Sequence, residues 1–263
     1  MASLLTVQMR HRIGALFIDV DFTLDKPWTI LFGPSGSGKS TILRAIAGLL
    51  HPDSTKIVSH PSQATEQVFV DTSRHIFLPA WRRGAPLVPQ RPALFPHMTV
   101  AQNLHFGSPS GHSFPAATPT SLPALFQIEQ FLQQHPRQLS GGEIQRVSIA
   151  RATMARHHTL LLLDEAFTGL DTISRDGVMR GLRQWQQTSR TPILSVTHDI
   201  AEAFQLNAEV IKLHEGRVIA QGPVQEVLAQ ERQRLLERLD AQLDARLRLD
   251  PLPERSTEPF LGG

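Results

Sequence analysis

The 263-residue sequence contains no cysteine and no tyrosine. The lack of cysteine excludes disulfide bonds and metal sites built on thiolates. No apolar stretch reaches the roughly 18 residues that a bilayer-spanning helix needs, so we expect no membrane span. Charge is nearly balanced, with 26 Lys and Arg against 24 Asp and Glu. Because no dense basic run with interleaved aromatic residues occurs, nucleic acid is not an expected partner.

What the sequence does contain is a complete phosphate-binding loop of the form G-x-x-x-x-G-K-[ST] at residues 33–41. The apolar run 28–32 predicts a buried strand before it, and residues 40–48 predict a helix after it. Glycines let backbone amides turn towards phosphates, and the helix N-terminus adds partial positive charge. The expected phosphate-binding residues are Gly33, Pro34, Ser35, Gly36, Ser37, Gly38, Lys39, Ser40 and Thr41. Lys39 would supply the cation, and the Ser40 hydroxyl could ligate Mg²⁺.

A second pattern is a pair of carboxylates, Asp164 and Glu165, after the apolar run 160–163. Such a run is typical of a parallel strand covered on both faces. An Asp-Glu pair can simply cap a strand at the surface. Beside a phosphate loop on the same sheet, we favour Asp164 as a Mg²⁺ residue and Glu165 as the acceptor of a proton from water.

A third pattern, Ser140-Gly141-Gly142-Glu143, leads directly into a predicted helix at 142–155. Exposed amides, a hydroxyl and the helix dipole make such a turn an anion site. The alternative is an ordinary capping box, with Ser140 as N-cap and Glu143 three residues later. The turn can be an anion site and a capping box at the same time. Capping alone does not explain why one chain contains two turns of the phosphate-binding type.

Strands alternating with helices predict an α/β domain with a largely parallel sheet. Further strands are expected at 15–24, 68–70, 85–88 and 193–196, a surface loop at 107–123 and a helix at 125–134. In the helix at 142–155, the candidate buried residues are Ile144, Val147, Ile149 and Ala150. Leucines at helical spacing predict a C-terminal helix at 224–249, packed on its own domain or a twin subunit rather than forming a coiled coil. Residues 250–263 are expected to be a frayed tail.

The segment Leu-Ser-Gly-Gly-Glu-x-Gln-Arg at 139–146 resembles the signature of ATP-binding-cassette (ABC) ATPases. Other sequence elements of that family occur in the same order as in the family. Residues 87–97, which include Gln90, are similar to its glutamine loop. Residues 168–171 are similar to the loop that follows the Asp164 strand, and residues 196–199 are similar to the segment with the switch histidine. The resemblance covers about residues 15–225. It implies a P-loop NTPase of the ABC type, with a largely parallel core sheet, an antiparallel β subdomain and a small helical subdomain.

The resemblance also implies domain limits and roles. Residues 1–225 would form the ATP-binding domain, with its helical subdomain at about 95–157, and 226–263 a helical extension and tail. ATP and Mg²⁺ would be the ligands, and Ser40, Gln90 and Asp164 would attend the metal. Glu165 would be the general base, assisted by Gln90 and His198. Ser140, Gly141 and Gly142 would contact ATP held by a second subunit. Asp171 would also be a nucleotide-binding residue.

Two departures from the family pattern are visible. Ala166 stands where the family usually has proline, which we expect to leave the carboxylates intact and to loosen the turn. The aromatic residue that usually stacks on adenine is missing from its expected region. His11, Ile13 and Phe17 lie nearby, and none is an obvious replacement.

The interval between Gln90 and Ser140 fits a small helical subdomain and no long coiled coil. This favours the separate ATPase subunit of a bacterial importer, acting as a homodimer. Expected partners are membrane permease subunits and, through them, a periplasmic or extracellular substrate-binding protein, with the chain peripheral on the cytoplasmic face of the inner membrane. Residues 70–83 and 94–100 resemble ATPases of molybdate importers. Alternatives are import of sulfate, polyamine or sugar, a soluble ABC ATPase with a nucleic-acid or protein partner, or a scaffold without turnover.

Overall fold

The computed structural model describes residues 3–60, 66–106, 121–155 and 157–249, with side chains through residue 241. Most of the predicted loop 107–123 and the predicted tail 250–263 lie outside these ranges. The chain divides into two compact units, residues 1–227 and 228–263. The division of the cassette into subdomains with the limits expected above stays a prediction.

The described part of the first unit forms one mixed sheet of eleven strands in the order β6-β5-β4-β1-β2-β11-β10-β3-β9-β8-β7. The strands are β1 (Leu5–Ile13), β2 (Leu16–Leu24), β3 (Trp28–Phe32), β4 (Ser54–Ser59), β5 (Gln67–Asp71), β6 (Ile76–Phe77), β7 (Leu87–Val88), β8 (Leu161–Asp164), β9 (Ile193–Thr197), β10 (Glu209–His214) and β11 (Arg217–Pro223).

The sheet has a parallel half and an antiparallel half. Strands β10, β3, β9, β8 and β7 pair in parallel, whereas β2, β1, β4, β5 and β6 pair in antiparallel fashion. In β3 and β9 all five residues are buried, while β1 and β2 alternate between buried and exposed positions. This contrast is what parallel strands covered on both faces and half-solvated antiparallel strands produce.

Helices lie between these strands in the chain and follow the last of them. They are α1 (Lys39–Ala47), α2 (Ala80–Arg83), α3 (Val100–His105), α4 (Leu122–Leu125), α5 (Gly141–Thr153), α6 (Thr172–Ser189), α7 (Ile200–Leu206), α8 (Val224–Val227) and α9 (Ala229–Leu249), with 3-10 turns at Thr72–Arg74, Glu129–Phe131 and Pro136–Gln138. Mixed sheet and helices confirm the predicted α/β fold class. None of the helices within the described ranges is long and apolar enough to cross a membrane.

The parallel half of the sheet positions the site. Strands β3, β9, β8 and β7 are neighbours, so their carboxyl ends lie at one edge. The phosphate loop follows β3, Glu165 follows β8, His198 follows β9 and Gln90 lies two residues after β7. Four segments that are far apart in the chain therefore meet at that edge.

One predicted element is wrong. Residues 125–134 do not form a helix: α4 ends at Leu125, Gln127 has a φ of 54°, and a 3-10 turn covers Glu129–Phe131. Phe126 and Ile128 are both fully buried. The left-handed φ of Gln127 ends the helical path, because an α-helix needs a φ of about −63° at each residue.

Two smaller differences concern helices. In α5, Val147, Ile149 and Ala150 are buried as expected, but Ile144 is only partly buried. At the C-terminus, the single expected helix is divided into α8 and α9 at residue 228. Within α9, Leu236 and Leu239 are exposed.

Candidate functional site

The phosphate loop forms an open, glycine-shaped turn between β3 and α1. Pro34, Ser35 and Gly36 are exposed, and a Cβ added at Gly36 would meet no atom within 4 Å. The φ angles of Gly36 and Gly38 are 82° and 98°, a region that strongly favours glycine. At Gly38 an added Cβ would lie 2.8 Å from the Cδ1 methyl of Ile18, so the Ile18 side chain would have to shift.

Lys39 opens α1 with its side chain folded back over the loop. Its Nζ donates to Gly33 O at 2.9 Å and to Pro34 O at 2.8 Å, and the residue is buried. Burial lowers the pKa of Lys39, while the carboxylates of Glu165 and Asp164 act in the opposite direction. The ammonium thus already lies in the concave loop, with loop carbonyls in place of phosphate oxygens.

Ser40 and Asp164 are in direct contact across two elements. Ser40 Oγ, in the first turn of α1, donates to Asp164 Oδ1 at 2.8 Å, at the end of β8. Burial raises the pKa of the Asp164 carboxyl, opposed by the Ser40 hydrogen bond. A buried carboxylate beside a hydroxyl is an oxygen-donor pair of the kind that Mg²⁺ prefers.

Glu165 receives a hydrogen-bonding contact at each carboxylate oxygen. Gln90 Nε2 donates to Glu165 Oε2 at 2.9 Å, and His198 Nδ1 lies 3.1 Å from Glu165 Oε1. The Glu165 side chain is 15% exposed and that of His198 is 54% exposed. The structure therefore brings together the three side chains that the sequence assigned to catalysis, with the imidazole on the solvent side.

The backbone of Glu165 is strained. Its φ of 48° is in the left-handed region, which costs a non-glycine residue on the order of 1–3 kcal/mol. Glu165 N donates to Val196 O at 3.1 Å and Thr168 N donates to Glu165 O at 3.1 Å. Ala166, at the position of the usual proline, is buried. These bonds hold the turn without a proline ring.

The turn at Ser140–Gly142 is at the exposed start of α5. A capping box is present: Glu143 N donates to Ser140 Oγ at 3.4 Å, and Ser140 N donates to Glu143 Oε2 at 2.7 Å. A Cβ added at Gly141 would meet nothing within 4 Å. The capping interpretation therefore holds, and a contact between this turn and ATP of a second subunit stays a prediction.

The loop 168–171 lies beside this turn. A Cβ added at Gly142 would be 3.3 Å from Leu170 Cδ2 and 3.6 Å from Gly169 O. Asp171 is the N-cap of α6, where its Oδ1 accepts from Ser174 N at 2.9 Å. The hydrogen bond from the Ser174 side chain, and after it this backbone hydrogen bond, lower the pKa of Asp171. Its expected contact with nucleotide stays a prediction.

Three residues lie near the expected position of the aromatic side chain that stacks on adenine, and their surroundings differ. His11 is buried, and its Nδ1 lies 3.0 Å from Asp53 Oδ2. Ile13 and Phe17 are 42% and 40% exposed, and the Arg12 guanidinium lies 5.6 Å from the centre of the Phe17 ring. His11 is thus engaged within the protein, whereas the Phe17 ring faces solvent.

A buried polar cluster behind His198 was missed by sequence reasoning. Thr197 Oγ1 donates to Glu202 Oε2 at 3.0 Å, and Arg175 Nη1 lies 3.4 Å from Asp199 Oδ2. Burial raises the pKa of Glu202 to about 8, opposed by the Thr197 hydrogen bond. The Asp199-x-x-Glu202 spacing is typical of a capping box, and it does not indicate that the Glu202 carboxyl is buried against Thr197.

Known proteins were compared with this chain. The ABC transporter family matches residues 17–168. A molybdenum import ATP-binding protein ModC from Mesorhizobium japonicum is 37% identical over 84% of this chain and 59% of its own length. A molybdate/tungstate import ATP-binding protein WtpC from Archaeoglobus fulgidus is 34% identical over 90% of this chain and 94% of its own length. The chain thus spans well under two thirds of the Mesorhizobium protein and nearly all of the Archaeoglobus protein.

Solved structures agree with the fold. An ATP-binding subunit of an ABC transporter has a TM-score of 0.69 and 26% identity, covering 92% of this chain and 99% of its own. A dimeric ATP-binding cassette in a post-hydrolysis state, bound to ADP and Pi, has a TM-score of 0.66 and 25% identity, covering 84% and 99%. The sequence match, the fold and the converging motifs lead to one conclusion. The chain belongs to the ABC transporter family and is an ATP-binding cassette of the ABC ATPase type.

Proposed function

We propose that this chain is the ATP-hydrolysing subunit of a bacterial importer for molybdate or tungstate. The observation that carries the hydrolytic part is the arrangement of Gln90 and His198 on the two oxygens of Glu165. Next to it, Ser40 and Asp164 form the oxygen pair expected beside a nucleotide phosphate. The importer part is supported by the names of the related proteins.

The residues present fit a Mg²⁺ ion. Ser40 Oγ and Asp164 Oδ1 are already 2.8 Å apart, and the side-chain amide oxygen of Gln90 is a third donor of suitable chemistry. These three residues would hold the ion. When bound, Mg²⁺ supplies positive charge that neutralises the phosphate oxygens during phosphoryl transfer.

The protein side of the reaction follows from the same contacts. Lys39 exchanges its carbonyl partners, Gly33 O and Pro34 O, for phosphate oxygens of ATP. Glu165 accepts a proton from the attacking water. His198, on the solvent side of Glu165, contacts the γ-phosphate and orients that water. The Glu165 carboxylate is largely buried and the His198 ring is half exposed. This arrangement suits a general base that faces a site closed by a second subunit.

A second copy of the chain completes each site. We infer that the turn Ser140–Gly142 of one subunit contacts ATP held by the phosphate loop of the other. Two observations support this inference: the turn is open to solvent, with free space at Gly141, and a related cassette forms a dimer with ADP and Pi. Closing around two ATP molecules and reopening after hydrolysis is the mechanical step.

The remaining partners are those of an importer. Membrane permease subunits would hold the chain at the cytoplasmic face of the inner membrane and receive its motion through residues 90–97. A periplasmic or extracellular substrate-binding protein would act through the permease. Because an ATPase of this kind does not touch the cargo, the oxyanion is proposed from the relatives' names alone.

The test uses the chain purified with its permease in proteoliposomes. ATP hydrolysis is measured with the substrate-binding protein presaturated with molybdate, tungstate or sulfate. We expect molybdate and tungstate to stimulate hydrolysis several-fold, and sulfate to have little effect. Stimulation by sulfate alone would reassign the cargo. Hydrolysis that is insensitive to all three, in a complex that contains the permease, would contradict the importer assignment.

A further inference from the structure

Glu202 is a buried carboxyl group that the proposed hydrolysis does not use. It lies in the first turn of α7, four residues after His198, and only 6% of the residue is exposed. Its Oε2 accepts the Thr197 hydroxyl at 3.0 Å. Its Oε1 is buried with no hydrogen-bond partner in the described structure. A buried polar atom without a hydrogen bond costs free energy of folding, so its presence calls for an explanation.

Glu202 anchors a short hydrogen-bond chain that encloses the backbone of His198. Asp199 N donates to Thr197 Oγ1 at 3.0 Å, and Thr197 Oγ1 donates in turn to Glu202 Oε2. From the other side, Glu202 N donates to Asp199 Oδ1 at 3.3 Å. The residues before and after His198 are therefore both tied to Glu202.

This arrangement differs from the capping box that the sequence spacing predicts. Asp199 acts as N-cap of α7 and accepts from Ala201 N at 2.8 Å. In a capping box the Glu202 carboxylate would return to Asp199 N. Instead the carboxylate turns inward to Thr197, and the Thr197 hydroxyl takes the Asp199 amide. The Glu202 side chain therefore does not cap the start of α7 but reaches the end of β9.

Charged groups face Glu202 from three elements. Asp199 and Glu165 oppose a negative charge at Glu202, whereas Arg175, from α6, favours it. Arg175 Nη1 lies 3.4 Å from Asp199 Oδ2, and its Nε is buried with no hydrogen-bond partner among the described residues. Burial is the largest influence and raises the pKa of Glu202 to about 8. At neutral pH the group is therefore a neutral acid, and the Arg175 side chain stays with Asp199.

We propose that Glu202 is a positioning residue for hydrolysis, which holds the backbone around His198 and so aims the imidazole at Glu165. The inference rests on the proposed function, because it assumes that His198 and Glu165 carry out the hydrolytic step. The neutral acid accepts from Thr197 without repelling Asp199. Once ionised, Glu202 adds negative charge beside Asp199 and draws Arg175 away from it, so the segment around His198 loosens.

The experiment compares Glu202→Gln, Glu202→Ala and Thr197→Val with the unaltered chain, using ATP turnover between pH 6 and 9.5. Glutamine keeps the shape and stays neutral at all these pH values. We expect kcat of the unaltered chain to fall above about pH 8, and the Glu202→Gln variant to keep its neutral-pH kcat there. Glu202→Ala and Thr197→Val should each lose at least about tenfold in kcat, the scale of a misplaced catalytic group. KM for ATP should change by less than about twofold, because the phosphate loop is untouched.

A merely structural role for Glu202 gives a different result. The alanine variant would then be less stable, but its kcat per folded molecule would equal that of the unaltered chain. The same alkaline fall in the unaltered chain and in Glu202→Gln would also overturn the proposal. If Glu202→Ala does not fold, Thr197→Val and Glu202→Gln still decide it. Failure of the proposed function gives a result of its own: the unaltered chain would then not hydrolyse ATP at any pH.

Discussion

The imidazole of His198 and the carboxylate of Glu165 are in direct contact, with Nδ1 3.1 Å from Oε1. The contact joins the ends of β9 and β8, two strands that are neighbours in the sheet. Glu165 is largely buried and His198 half exposed, so the pair has a protein side and a solvent side. We therefore expect a nucleotide phosphate that enters from solvent to meet His198 first.

We therefore predict that His198→Ala lowers kcat for ATP by about 100-fold or more, the usual scale for losing a group that assists proton transfer. KM should change little, because Lys39 and the phosphate loop remain. Steady-state hydrolysis at saturating ATP measures both constants. A variant that keeps half of the original kcat would show that the His198–Glu165 contact is not part of the reaction.

The composite site can be tested by mixing two inactive chains. Lys39→Ala removes the phosphate-loop cation, and Gly141→Asp adds a carboxylate where a Cβ meets nothing within 4 Å, so the subunit itself is not strained. Each variant alone should be inactive. In a mixed dimer, the intact phosphate loop of one chain faces the intact Ser140–Gly142 turn of the other.

Mixing the two should therefore restore part of the activity, up to roughly a quarter of the original rate if sites work independently and chains pair at random. Glu226→Gln, at an exposed position, serves as control and should behave as the unaltered chain. No recovery in samples proved to contain mixed dimers would contradict a site shared between two subunits.

Glu202 gives a prediction for stability. Its pKa is raised from 4.5 to about 8 in the folded chain, so between those values the folded state binds a proton that the unfolded state lacks. The free energy of unfolding should therefore decrease as pH rises through this window and level off above pH 8. The contribution is at most about 5 kcal/mol, at 1.36 kcal/mol per pKa unit.

The Glu202→Gln variant has no ionisable group at this position. All other titrating groups are common to the variant and the unaltered chain. The difference in unfolding free energy between the variant and the unaltered chain should therefore grow in favour of glutamine from pH 5 to pH 8. Urea unfolding at the two pH values measures it. An equal difference at both values would mean that Glu202 is not protonated in the folded chain at pH 7.

Arg83 gives a prediction for the helix that carries the phosphate-loop residues. It is fully buried, and its guanidinium donates to Leu78 O and to Ala45 O and Ile46 O at the C-terminal end of α1. Burial lowers the pKa of Arg83 to about 10, so it stays charged at neutral pH. A cation at this end of a helix is stabilising.

Arg83→Met should lower the free energy of unfolding by about 2–4 kcal/mol, since buried carbonyls lose charged donors. The neighbouring Arg82→Met is the matched control. Arg82 lies against the exposed Trp81 ring, and a surface change of this kind usually costs less than about 0.5 kcal/mol. Equal unfolding curves for the two variants would contradict the stabilising role of Arg83.

Local patterns predicted most of the site because its residues follow directly on regular elements. The phosphate loop follows β3, Asp164 ends β8 and His198 follows β9, so a correct strand assignment already places them at one edge. The antiparallel half of the sheet, β4 to β6 with β1 and β2, depends on the pairing of β1 with β4, two strands that β2, β3 and α1 separate in the chain. The sequence predicted single strands in this half of the sheet but did not indicate which residues pair across them.

Two features lay beyond sequence reasoning for physical reasons. The stretch 125–134 has helix-forming residues, but the chain turns at Gln127, whose φ is 54°, and places Phe126 and Ile128 on either side of that turn in the core. The Asp199-x-x-Glu202 spacing predicts a capping box, yet the Glu202 carboxyl bonds to Thr197 inside the domain. In both cases tertiary packing overrides a local preference, and packing is not readable from spacing alone.

The most direct test of the central claim is ATP hydrolysis by Glu165→Gln, measured with the oligomeric state in the same samples. Glutamine keeps the contacts to Gln90 and His198 within reach and cannot accept the proton from water. With Mg²⁺ and ATP, we expect at least about a hundredfold loss of turnover, together with accumulation of an ATP-bound dimer. Turnover close to that of Glu226→Gln, with the chain monomeric throughout, would show that Glu165 is not the base of a dimeric ATPase.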